Sequence, residues 1–153
     1  PQTLYGTASY AYAVSRYTDL EGVERDRTFD NRHLISLILG YRPSDKYEFS
    51  LRWRYAGGRP YTPYDQTLST QFNTGLIQPE LLNSARYPAY HRLDLRFDYR
   101  KHYQNFNIVS FFSLLNAYNR TNIFSYYWEE DENKVGRIDQ WSILPIGGLE
   151  LEF

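Results

Sequence analysis

The chain has 153 residues, enough for one domain, with a net charge of -1 and a pI near 6.4. That balance excludes the strongly basic face of a nucleic-acid binder. The absence of cysteine excludes a disulfide framework and thiolate metal sites. No apolar run approaches the ~18 residues of a transmembrane helix. The opening Pro1-Gln2-Thr3 lacks the basic start and apolar core of a signal peptide, so an exported protein is expected to be a mature form or a fragment.

Aromatic residues make up 18% of the chain, with 16 Tyr, 9 Phe and 3 Trp, while mean hydropathy is only -0.64. A membrane β-barrel reconciles the two, because only alternate residues of each strand meet lipid and the average cancels. Arginine greatly outnumbers lysine, which is limited to Lys46, Lys101 and Lys134. Its fixed fork pairs with carboxylates and stacks on rings, as a polar lumen requires.

From Leu4 to Tyr17 the chain alternates, with Leu4, Gly6, Ala8, Tyr10, Tyr12 and Val14 on one side, and predicts a first strand. Thr18 to Asn31 is charge-rich and predicts a solvated loop. His33 to Tyr41 is a nearly continuous apolar strand, and Arg42-Pro43-Ser44-Asp45-Lys46 is a turn. Tyr47, Phe49, Leu51, Trp53 and Tyr55 then oppose Glu48, Ser50, Arg52 and Arg54 in a third strand.

Ala56 to Ala89 carries Gly57-Gly58 and four prolines and predicts a long irregular loop, uncommon in a compact soluble domain. In the fourth strand, Tyr90 to Tyr99, Leu93, Leu95, Phe97 and Tyr99 oppose Arg92, Asp94, Arg96 and Asp98. Arg100 to Asn105 is a short polar turn, Phe106 to Leu115 a fifth strand, and Asn116 to Gly136 a third long loop. The last strand runs from Ile138 to Phe153, with a bend or bulge expected at Pro145 and Gly147-Gly148. It ends on Gly148-Leu149-Glu150-Leu151-Glu152-Phe153, apolar on one face and acidic on the other. Gly148, Leu151 and Phe153 resemble the terminal assembly signal of bacterial outer-membrane proteins.

The fold class predicted is all-β: an antiparallel transmembrane β-barrel segment of six strands. The five connections alternate long, short, long, short, long. With Phe153 on the periplasmic side, both short turns fall in the periplasm and all three long loops outside, the asymmetry of bacterial barrels. Tyr41, Tyr47, Tyr99, Tyr103 and Phe153 lie near the turn end of the strands. Tyr17, Tyr55, Tyr90 and Tyr118 lie near the other, as interfacial aromatic belts require. An open six-stranded sheet would leave roughly ten backbone groups unpaired in lipid, at several kcal/mol each. Residues 1–153 are therefore expected to be the carboxy-terminal part of a larger barrel.

Four stretches carry a resemblance to TonB-dependent outer-membrane receptors, particularly of Bacteroidetes-like bacteria. They are Arg52-Trp53-Arg54-Tyr55-Ala56-Gly57-Gly58-Arg59-Pro60-Tyr61-Thr62-Pro63, Tyr87 through Arg96, Leu114 through Asn122, and Gln140 through Phe153. The resemblance implies a 22-stranded barrel with an amino-terminal plug. It implies uptake of an iron chelate, cobalamin or a glycan, energised through TonB. The implied partners are outer-membrane lipid, the rest of the barrel and its plug, the TonB complex, the barrel-assembly machinery and a surface lipoprotein. The alternatives are a soluble β-barrel or sandwich that binds a ligand, and a structural barrel that transports nothing.

No enzyme motif, cofactor site or metal-ligand spacing appears, and the acidic run Glu129 to Glu132 matches no calcium loop. Glu48, Arg52, Arg54, Arg92, Asp94, Arg96 and Asp98 are expected on the lumen face, paired across strands. Contacts to a solute are expected from the external loops, through Arg59, Tyr61 and Tyr64, or Tyr126, Tyr127 and Trp128.

Overall fold

A computed structural model of the chain describes residues 3–153. Six long strands form one antiparallel sheet: β1 (Thr3–Ala13), β4 (Arg32–Ser44), β5 (Tyr47–Ala56), β8 (Tyr90–His102), β9 (Asn107–Leu115) and β12 (Leu144–Glu152), adjacent in that order. Each pairs with the next long strand in sequence, so the sheet is a meander. It is open. Among the described residues, β1 and β12 are its edges and nothing joins them.

The register sorts side chains by chemistry. Leu37, Trp53 and Leu93 stand in one cross-strand row, Leu39, Leu51, Leu95 and Leu114 in the next, then Tyr41, Phe49, Phe97 and Phe112. Leu149 and Leu151 continue this face on β12, opposite Ser110 and Ile108. The other face presents Arg54 opposite Arg92, Arg52 opposite Asp94, Ser50 opposite Arg96 and Glu48 opposite Asp98. Among the described residues, no other element covers the apolar face. Leu4 is 75% exposed, Leu149 76% and Phe112 51%, and Trp53, Leu93 and Phe97 are half-buried rather than enclosed.

The apolar face is also banded. At the turn end Tyr47 packs against Tyr99 and Phe97, with centroids 5.4 and 6.2 Å apart, and Phe49 lies 5.0 Å from Phe97. At the loop end Tyr10 and Tyr12 lie against His33, and the Tyr118 hydroxyl meets His91 Nδ1 at 2.7 Å. Aliphatic rows fill the space between.

The connections depart from expectation. The first strand ends at Ala13, not Tyr17, and the next residues form a small hairpin of β2 (Arg16–Thr18) and β3 (Glu24–Asp26). The long segment after β5 holds β6 (Pro60–Tyr61), helix α1 (Gln66–Phe72), a 3-10 turn at Pro79–Leu81 and β7 (Ala85–Arg86), with β6 and β7 paired. Asp65 caps α1 by accepting the Leu68 amide at 2.9 Å. The third connection is a hairpin of β10 (Ile123–Glu129) and β11 (Lys134–Asp139). What reads as one final strand from Ile138 is therefore two, because Ile138 and Asp139 pair with β10 instead of β9.

Both short turns are tighter than predicted, because β4 continues through Ser44 and β8 through His102. The predicted bend at Gly147-Gly148 is absent, since β12 pairs with β9 without a register shift. Gly148 has another reason to be glycine. It stands opposite Phe111, whose ring lies where a Cβ would be, 2.6 Å away. Gly40 is covered by the ring of its opposite residue Tyr5 in the same way.

Candidate functional site

The charged face is built by alternation: every second residue of β5 and β8 must point to it. Arg54 Nη2 and Arg92 Nη2 both donate to Asp94 Oδ2, at 3.3 and 2.8 Å, and Arg96 forks onto Asp98. Arg42 Nη2 lies 2.5 Å from Glu48, which also accepts from the Tyr5 hydroxyl. Arg96 stacks over Phe111 with its guanidinium carbon 4.3 Å from the ring centroid. Arg52 is exposed and stands opposite Asp94 without an ion pair. Asp94 is buried on this face, as are Ser113 and Val109. The sheet thus shelters its polar side more than its apolar side.

Three asparagines in the stretch after β9 tie strand ends together, a role the sequence reading did not assign. Asn116 is 1% exposed and left-handed (φ 55°). Its amide N–H donates to Asp94 Oδ1 at 3.0 Å, and its side chain bonds Arg120 N, Arg120 O and Trp141 O. Asn119, also left-handed, accepts from Ile143 N at 3.0 Å. Asn122 bonds both backbone groups of His91, as a neighbouring strand would. The legible signal is three Asn at intervals of three, since Asn tolerates the left-handed region and its amide imitates a peptide group.

The three long connections dock on one another at the loop end. Their polar hub is Asp30, which is 2% exposed. Its carboxylate accepts from Ser15 N at 2.8 Å and from Arg86 Nη2 at 2.5 Å, while Arg86 Nη1 donates to the Asp30 and Gly58 carbonyls. Asp26 accepts from Arg86, Arg16 and Arg32. Burial pushes both carboxyls up, but the Arg86 hydrogen bonds and charge, with help from Arg16 at Asp26 and from Ser15 and Arg32 at Asp30, outweigh it. Both are held below the usual carboxylate range.

The aromatic hub joins the second and third connections. Tyr61, Tyr87 and Tyr126 form a triangle with centroids 4.6 to 5.0 Å apart, and Arg59 lies over Tyr87 at 4.9 Å while donating to Phe124 O. Burial, then the neighbouring phenols Tyr126 and Tyr87, push the Tyr61 hydroxyl above its ordinary range. Tyr64 packs on Trp128, which is buried. Of the six loop residues predicted to face a solute, the structure therefore brings Arg59, Tyr61 and Tyr126 together and adds Tyr87. Tyr64 and Trp128 form a second pair. Tyr127 lies over Gly136 on the opposite side of β10. The triangle packs connections against each other, with all three rings half-buried. The acidic run Glu129 to Glu132 sits at the β10–β11 turn, where Lys134 contacts Glu129 and Glu132.

Two hollows open where the charged face meets the loops. One, of about 410 Å³, is lined by Arg54, Arg59, Phe29, Tyr90, Phe124 and Gln140 among others. The second, of about 550 Å³, includes Arg92, Asp139 and Trp141 and shares Phe124 and Gln140 with the first. They form one trough beneath the β10–β11 hairpin.

The class these features define is an all-β chain with one large antiparallel sheet, sidedness in both its faces and its ends. Neither a protein-family model, nor a curated protein, nor a solved structure matches the chain.

Proposed function

We propose that this chain forms six consecutive strands of an outer-membrane β-barrel that takes up a solute, in the manner of a TonB-dependent receptor. The observation that carries the reading is the uncovered apolar face. Leu4, Phe49, Leu95, Phe112, Leu149 and Leu151 are each 40% or more exposed on one continuous surface. Burying each such side chain is worth about 1.5–3 kcal/mol, so leaving the whole face in water forfeits on the order of ten kcal/mol. Lipid recovers that energy without any further protein layer. Tyrosines at both ends of the face match the two interfaces.

The other face suits an aqueous lumen: apart from the exposed Arg52 and Glu150, its charges pair with one another and are spread over neighbouring strands. The two free edges have to be closed in a bilayer, since unpaired peptide groups there cost several kcal/mol each. Further strands on β1 and β12 complete the barrel in this reading. The plug, TonB contact and assembly machinery belong to the same reading and rest on the resemblance of the four sequence stretches.

The test places Trp53 against lipid. A barrel that holds this chain between the strands closing β1 and β12, with Trp128→Phe and Trp141→Phe and Trp53 as its one tryptophan, is refolded into vesicles whose acyl chains are brominated at mid-depth. Strong quenching of Trp53 is expected. A chain that stays monodisperse in buffer without detergent, with Trp53 unquenched, overturns the membrane reading in favour of a soluble ligand-binding fold.

A further inference from the structure

The charged face is not uniform from end to end. Toward the turns, Glu48, Asp98, Glu150 and Glu152 accompany Arg42, Arg96 and Arg100, so acids match or exceed bases. Toward the loops, Arg54 and Arg92 share the single carboxylate of Asp94, Arg52 stands opposite it without an ion pair, and Arg59 joins them at the rim with no carboxylate partner among the described residues. Asp94 has a further obligation to the Asn116 amide. Arg54 Nε is buried without a hydrogen-bond partner, although its Nη2 reaches Asp94. The other acid lining the trough, Asp139, pairs with Arg137 at 3.3 Å. The trough therefore carries positive charge in excess, in a recess where water screens it less than on an open surface.

Its remaining lining supplies flat apolar faces. Trp141 is 78% exposed, Phe29 80% and Phe124 56%, unlike the mutually packed rings of the Tyr61 triangle. Gln140 adds an amide shared by both halves. Positive charge beside free ring faces recognises an anion mounted on a ring: the charge meets the carboxylate and the aromatic surface meets the ring.

We propose that this trough is a binding site for ring-borne carboxylates, with Arg54 and Arg92 at its floor and Arg59 at its rim meeting the anion. The inference takes from the proposed function only that the charged face is the wet one, and it specifies the solute's charge class. An acidic sugar and an aryl carboxylate share this chemistry.

Trp141 lies in the trough and reports on it directly. The full chain with Trp53→Phe and Trp128→Phe, refolded in detergent with its β-sheet circular dichroism intact, is titrated with trigalacturonate, its fully methyl-esterified form, and benzene-1,3,5-tricarboxylate. A saturable change in Trp141 emission is expected with at least one acid. Affinity is expected to fall at least tenfold on esterification, on raising salt to 0.5 M, and in Arg59→Gln, a rim variant that leaves the sheet ladder untouched. Response to trigalacturonate alone assigns sugar acids, and response to the tricarboxylate alone assigns aryl acids. Equal binding of acid and ester, or no response to either acid, overturns the proposal. Such a failure alongside lipid quenching of Trp53 leaves the membrane reading standing, so the two are separable.

Discussion

The six-stranded sheet and the docked connections at its end are held together by opposite means. The sheet relies on backbone ladders, and its apolar side chains lie on a surface that none of the described residues outside the sheet covers. Among the described residues only Val109 and Trp128 are buried hydrophobics, and Trp128 belongs to the connections. The connections instead bury polar groups: Asp30, Ser69, Asn116 and Asn122, each satisfied by hydrogen bonds. A sheet with its apolar rows outward depends on the solvent it sits in. Connections tied by charge and amide groups carry their own fixed geometry into water. That difference predicts which part of the molecule each perturbation will disturb.

The largest effect should come from Arg86→Met. It strips the hub of the guanidinium that serves Asp26, Asp30 and the Gly58 carbonyl, leaving a carboxylate with no side-chain exposure facing the Ser15 amide and, for positive charge, Arg32 at 3.4 Å. Removing one partner of a buried pair costs about 3–5 kcal/mol. Faster proteolysis in the 14–31 and 57–89 connections, with the sheet's circular dichroism unchanged, is the expected signature. Adding Asp30→Asn should recover part of the loss, and no recovery would show that Arg86 acts through packing instead.

Next in size is Leu95→Arg, in the central apolar row. At mid-bilayer the change should cost about 2–4 kcal/mol, read from urea titration in vesicles. Asp98→Asn, three residues along β8 on the other face, should cost distinctly less. Equal damage at the two positions would break the assignment of one face to lipid and the other to water. Asn116→Ala should follow, at about 2 kcal/mol, because the side-chain bonds to Arg120 and Trp141 and the tolerance of a left-handed backbone are lost together. Asn116→Gly should recover the backbone share alone.

How much of this was legible in the sequence follows the same division. Period-two alternation in Tyr47–Tyr55 and Tyr90–Tyr99 gave the facing of every residue there, because a strand has no freedom in which side it presents. The long–short alternation of connections gave the meander. The connections themselves were illegible. Ile138 and Asp139 look like the start of β12, yet they pair with β10, and only the three-dimensional partner decides between the two. Gly147-Gly148 predicts a bend, whereas Phe111 lying across Gly148 is a contact between residues 37 apart. Tyr61, Tyr64, Tyr126 and Trp128 stood out as loop aromatics, but periodicity says nothing about whether a ring meets a solute or another ring. The trough's own aromatics, Phe29, Phe124 and Trp141, gave no local signal.

The gentlest perturbation removes no side chain. Asp26 and Asp30 have folded pKa values below their unfolded ones, so the stability they lend is fully present above the unfolded carboxylate value, near 3.9. It is lost as pH falls below about 4 and through the lower folded values, where protons bind the unfolded connections first. The rows of Leu37, Leu39, Leu51 and Leu95 hold no carboxylate or imidazole. Between pH 6 and pH 2 in detergent, amide exchange should therefore accelerate at 14–31 and 83–88 before it does in the rows around Leu39, Leu51 and Leu95. Arg86→Met should abolish that lag, since it removes the cause of the depressed carboxyls. Connections and sheet loosening together at one pH would mean that the hub is coupled into the ladder, and that the two regions are not independently held.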